Sequence, residues 1–236
     1  MGASVEAITT GNRPGTQASR RQVVAALAAA AAGAGGCAST LARKGKKKPK
    51  TVSVTRTFVN DGQIRIPATV EGLGAANPYP ASITVEDFPG VVTNVVVTLK
   101  GVSHEESRDV EVMLAKDTTN AVLMGRAGFD EAMRDVRLTF DDAAAVGLPE
   151  NTIIASGSYQ PTNFIPLMDL QFYFRAPAPF PSGNTRLAAF RGLAANGTWR
   201  LYVTDGSLNT DGGISGGWEL VITADVPKKR KKKKKR

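Results

Sequence analysis

The sequence predicts an all-β, antiparallel β-sandwich that forms a single domain over residues 51–226, and three observations carry this prediction. Apolar residues recur with period two from Thr51 onward, as in strands with one face against a core. The alternating runs are short and bounded by Gly, Pro, Asn and Asp, which suit turns. Helix-compatible stretches are brief, near 143–146 and 187–193.

Thr51–Val59 alternates and ends at the turn signal Asp61-Gly62, after which Gln63–Ile66 alternates again. Val91–Lys100 is rich in β-branched residues, as expected of a strand buried on much of both faces. Asp109–Leu114 follows a polar turn, and Asp135–Phe140 alternates cleanly. Leu170–Phe174, Thr198–Thr204 and Trp218–Thr223 complete the predicted strands. Acidic residues that alternate with apolar ones are expected to face water. Trp199 and Trp218 are expected between two sheets, because a tryptophan buries roughly 150–250 Å². Gly197 and the glycines before Trp218 would supply the positive φ of tight turns.

Charge divides the chain. The net charge of +9 is concentrated in two arms, since residues 51–226 hold twelve Lys/Arg against twenty Asp/Glu, a net of −8. The folded part is therefore acidic, which argues against specific nucleic-acid binding by a basic face. A single cysteine excludes an internal disulfide framework and a multi-cysteine zinc site.

Residues 1–36 read as an export signal. Arg20-Arg21 precedes an apolar run from Val23 to about Ala34, too short to span a bilayer comfortably. The pattern resembles a twin-arginine (Tat) signal, so the protein is expected to be exported, secreted or held at the cell envelope. Cys37 follows Ala34-Gly35-Gly36 and resembles a lipobox cysteine, which would be lipidated, although Ala34 stands where that motif has Leu. Ordinary cleavage nearby is the equal alternative. Residues 37–50 form a basic linker. The tail 227–236, with Lys228–Arg236 wholly basic, has three readings: contact with anionic cell-wall polymer or lipid headgroups, a nucleic-acid arm, or a solubilising extension.

Asn94–Leu114 carries a strand, His104, a polar turn, Arg108-Asp109-Val110 and a second strand. Phe190–Thr223 carries Phe-x-Gly, Gly-Thr-Trp-x-Leu-x-Val-x-Asp and a Gly-rich turn into Trp218-x-Leu. These two stretches resemble the P domain (P/Homo B domain) of subtilisin-like proprotein convertases. The likeness spans about residues 80–224, and the block from Gly197 to Trp218 is its specific part. It departs at Lys116–Asn120, where the family has Pro-x-Gly-Thr, and in the additional glycines Gly212, Gly213, Gly216 and Gly217. The resemblance implies a jelly-roll-like sandwich without chemistry of its own, and a protein partner such as a secreted subtilisin-like protease.

No catalytic residue is predicted. His104 is the sole histidine, is followed by Glu105-Glu106, and lacks the serine motif a Ser-His-Asp site requires. It is expected to be structural. The acidic pairs (Glu105, Glu106, Asp109; Asp130, Glu131; Asp141, Asp142) read as surface loop residues. The loop from Asp205 to Gly213 places Ser207, Asn209 and Asp211 at alternate positions before glycine, a spacing that suits Ca²⁺, with Asp205 as a further ligand. An acidic residue is missing from the first position of that spacing, and Glu219 falls one residue late to close it. An Asx-turn hairpin without metal is the favoured reading, and calcium, used by some convertase-type domains, is the alternative.

Overall fold

The computed structural model describes residues 50–68 and 73–228. Residues 1–49, 69–72 and 229–236 lie outside the described residues, so the stretch read as an export signal, Cys37 and nearly all of the basic tail do too.

The described residues form thirteen strands: β1 Thr51–Asn60, β2 Ile64–Ile66, β3 Gly74–Ala75, β4 Ala81–Val85, β5 Val91–His104, β6 Val110–Lys116, β7 Thr119–Gly125, β8 Met133–Phe140, β9 Gly157–Tyr159, β10 Thr162–Asn163, β11 Gly197–Asp205, β12 Gly212–Ile214 and β13 Trp218–Pro227. One sheet runs β1-β13-β5-β12-β2, with β8 on the other edge of β5 and β9 beyond it. The second runs β10-β7-β6-β11-β3, with β4 also on β11. Among the described residues the strands pair antiparallel except for β8 with β9 and β7 with β10, and the isolated bridge of Gly147 with Gln160 is also parallel. The all-β sandwich is as expected.

The two stretches that carry the P-domain resemblance build the centre of both sheets. In the first sheet Trp218 pairs with Leu99 and Leu220 with Val97. In the second, Leu201 pairs with Leu114 and Val203 with Val112. Each segment thus pairs with the other twice, once per sheet. Between the sheets lie Trp199, Trp218, Phe140 and Phe190, all fully buried, with the Phe190 and Trp199 rings 5.2 Å apart. Gly197 (φ +119°) and Gly217 (φ +66°) have the positive φ that the turns require. At Gly217 a side chain would run into the carbonyl of Asn60. The Lys116–Asn120 departure still closes a tight hairpin, since Lys116 pairs with Thr119 and Asp117 takes φ +52°.

Two expectations are corrected. Leu170–Phe174 is not a strand but one turn of helix, α1 (Leu170–Tyr173). Leu170, Phe172 and Phe174 alternate as a strand would, but Leu170 and Phe174 are also four residues apart, and only those two are buried. They belong to a second apolar cluster with Met113, Ala115, Val122 and Tyr202. The segment around α1 thus covers the outer face of the second sheet. Acidic positions in strands do not all meet water either, because β6 buries all seven of its residues, Glu111 included. Of the helix-compatible stretches, 187–193 yields a 3₁₀ turn, Leu187–Phe190, while 143–146 stays in turns.

The tryptophans differ in one polar atom. The Trp199 indole N–H donates to the Ala195 carbonyl at 3.1 Å, whereas the buried Trp218 N–H has no partner. Trp199→Phe strands a buried carbonyl and Trp218→Phe strands nothing. In urea unfolding, Trp199→Phe should therefore cost about 1–2 kcal/mol more than Trp218→Phe; equal losses would contradict this account.

Candidate functional site

At one end of the sandwich both sheets deliver polar side chains to a shared cluster. β5 ends at His104, the Ser107–Asp109 3₁₀ turn follows, and β6 brings Glu111. β11 ends at Thr204 and Asp205, and the loop beyond returns as β12. Cross-strand register sets the placement, with Asp205 opposite Val110 and Gly212 opposite His104. Gly212 must lack a side chain, because a Cβ would collide with the Ser103 carbonyl and crowd the His104 ring.

The His104 side chain is wholly buried. Its Nδ1 lies 2.7 Å from the Glu106 carbonyl, which can only accept, so Nδ1 carries a proton. The Glu106 N–H, 3.3 Å from the same nitrogen, is a secondary contact. Nε2 faces Asp205 Oδ2 at 3.5 Å, without hydrogen-bond geometry. A neutral ring would aim its Nε2 lone pair at that carboxylate, so the geometry favours the charged imidazolium. Burial pulls the His104 pKa down, but Asp205, the Glu106 carbonyl and Asp109 outweigh it and hold the value above the ordinary histidine range.

The carboxyls press the same way. Burial, contact with the Glu106 carboxyl and the charge of Asp205 push Asp109 up to about 6, partly offset by His104. One Asp109 oxygen is buried without a hydrogen-bond partner. Glu111 is 1% exposed; burial first, then Asp109 and Asp205, raise its pKa well above the usual carboxylate range. Thr204 Oγ1 donates to Glu111 at 3.4 Å and, with Arg126, opposes the shift.

The predicted site residues separate. Asp205 is fully buried; its Oδ1 accepts the Ser207 N–H at 2.9 Å, and its Oδ2 accepts from Thr210 at 3.3 Å. That is the Asx-turn. Asn209 and Asp211 are exposed, and the Asp211 carbonyl accepts the Glu105 N–H. The Asp205 carboxylate thus faces inward while the other acidic and amide side chains stand in solvent, which does not fit one convergent oxygen shell. Among the described residues no group of three or more His, Cys, Asp or Glu side chains is arranged to hold a metal ion.

His104 lies beside the Asp205 carboxylate, and its Nδ1 is held by the Glu106 backbone. Nearby Ser107 is fully buried, donates to the Phe129 carbonyl and accepts the Phe129 N–H, both at 3.0 Å. The reading of the acidic pairs as surface features is corrected for Asp109, inside the cluster, and for Asp142, whose oxygens cap the Leu187–Phe190 turn at 2.9 and 2.7 Å. Glu111 escaped sequence reasoning because an acidic residue between strand valines reads as solvent-facing. The one available signal was its position just after Arg108-Asp109-Val110, inside the P-domain-like segment.

No family model and no curated protein matches the chain. Solved structures similar to it include the Aeromonas sobria serine protease in complex with its chaperone, at 15% identity over 75% of this chain, with a TM-score of 0.36. The serine protease of Aeromonas sobria is similar at 16% identity over 78% of this chain, with a TM-score of 0.36. The chain spans 28% and 29% of the length of those two chains.

His104, Asp109 and Glu111 each hold a proton more tightly folded than unfolded. The stability this contributes is full below the unfolded pKa values, about 4 for carboxylates and 6.5 for histidine, and is lost as pH rises through the folded values. Between pH 5 and 8 the melting temperature should therefore fall with rising pH. Glu111→Gln should flatten that slope and raise the melting temperature at pH 8 by about 2–4 °C. A variant melting lower than wild type at pH 8 would contradict the buried-carboxyl account.

Proposed function

We propose that the chain is an exported, non-catalytic P-domain-like sandwich that acts as a protein-interaction or stabilising module, with a secreted subtilisin-like serine protease as its partner class. The observation that carries the reading is the double pairing of the two P-domain-like segments, β5 with β13 and β6 with β11. The residues that carry the resemblance are the ones that hold the fold, and His104, Asp109 and Asp205 from both segments meet in one cluster. The buried His104 ring, held by Glu106 and Asp205, supports a structural role over a catalytic one.

A tagged full-length chain recovered from the cell envelope should retain a protein that mass spectrometry identifies as a subtilisin-like protease, and should itself leave a fluorogenic dibasic peptide uncut. Cleavage of the peptide that His104→Ala abolishes while the fold persists would replace this reading with an enzymatic one. Export rests on Arg20-Arg21 and the apolar run after it. Arg20→Lys with Arg21→Lys should trap the protein in the cytoplasm, and unchanged export would remove the twin-arginine assignment.

A further inference from the structure

β1 is an edge strand. Its ladder with β13 is unbroken, from Asn60 with Trp218 to Thr51 with Pro227, and runs one bond beyond, where the Lys228 N–H donates to the Lys50 carbonyl at 2.9 Å. Along the opposite edge, no described residue pairs with β1 or bonds to its backbone. Every second residue of this 10-residue strand therefore turns its N–H and C=O toward solvent.

An open edge of this kind takes on a further strand unless something blunts it. β1 carries none of the usual devices. It has no proline, no lysine and no register shift, and it is mostly β-branched. Arg56 is its one charged residue, and that guanidinium is drawn inward, 4.8 Å over the Phe88 ring, where it donates to the Asp87 carbonyl. Val54 and Phe58 lean on the core from the same face, and Asn60 donates from it to the Ser82 carbonyl. The alternate residues, Thr51, Ser53, Thr55, Thr57 and Val59, form the outer face and are all exposed.

We infer that β1 pairs with β1 of a second copy of this chain, antiparallel and centred on Thr55, so that two sandwiches share one continuous sheet. Strand addition draws affinity from main-chain hydrogen bonds and specificity from the side chains that meet across the new ladder. In this register the strand complements itself. On the outer face the two Thr55 residues meet, Ser53 meets Thr57 and Thr51 meets Val59. On the inner face Val52 meets Phe58 and Val54 meets Arg56, so no like charges stand opposite one another. Centring the pair on Arg56 instead would set that cation against its own copy. An unrelated strand could match the backbone, but the fit of β1 to its own sequence selects a second copy. The two-fold axis makes the interface isologous, and the assembly closes at two chains. This inference does not depend on the protease reading.

The test is sedimentation equilibrium of the full chain. The mass of wild type should rise toward that of two chains, and no further, between about 1 μM and about 1 mM. Ser53→Lys with Thr57→Lys, both at exposed positions, sets like charges opposite each other twice and should weaken the dimer by at least about tenfold. Ser53→Glu with Thr57→Glu should do the same, and circular dichroism should show both variants folded as wild type is. An equimolar mixture of the two variants should recover dimers, because each introduced cation then meets an introduced carboxylate. Wild type that stays monomeric across that range, or grows past two copies, would overturn the inference. So would variants that dimerise as wild type does, or a mixture that fails to associate, since β1 would then not stand against itself in this register.

Discussion

β6 has no wet face, and the organisation of the molecule follows from that constraint. Every one of its residues is buried, so the sheet it centres must be covered twice. The first sheet covers the inner side, bringing Trp218, Leu220 and Ile222 against Val112, Leu114 and Leu201. The segment around α1 covers the outer side, pressing Ile165, Leu170 and Phe174 onto Met113, Ala115 and Tyr202. Hydrogen bonds anchor that cover, from the Tyr202 hydroxyl to the Pro177 carbonyl at 3.2 Å and from the Asn120 amide to the Phe180 carbonyl at 3.0 Å. The cover leaves Met168, Phe172 and Phe180 exposed on its own outer side.

Double coverage also explains the polar cluster. A carboxyl on a doubly buried strand cannot reach water, so burial pushes the Glu111 pKa well above the usual carboxylate range, and the Thr204 hydroxyl donates to it. Asp205 at the end of the neighbouring strand accepts from Ser207 and Thr210, and the His104 ring lies 3.5 Å from its Oδ2. The His104 ring is buried, its Nδ1 proton is held by the Glu106 carbonyl, and the adjacent Ser107 is tied to Phe129 on both sides.

The fold class was legible in the sequence wherever a strand has one face in the core and one in water. Asp135–Phe140 and Trp218–Thr223 alternate because their environments alternate. Legibility failed where that asymmetry is missing. Thr119–Gly125 is buried on both faces and shows no alternation, so β7 passed unmarked. Ala81–Val85 alternates, but it is only five residues long and follows Pro78 and Pro80, so β4 was lost in what reads as a turn. α1 was misread because residues two apart and four apart coincide over one turn. Of the site, His104 and Asp205 were singled out individually, but what joins them is the register between strands about a hundred residues apart, which no local pattern records.

The pairing of β1 with β13 has a mechanical consequence. Because residues 50 and 228 are neighbours, a pull between the two arms would load the ladder at its end, parting Thr51 from Pro227 first and then each pair in turn. Rungs opened singly resist far less force than ten sheared at once. Under tension between its arms, the module would yield by peeling away β1 while the strands around Trp218 and Trp199 stay closed.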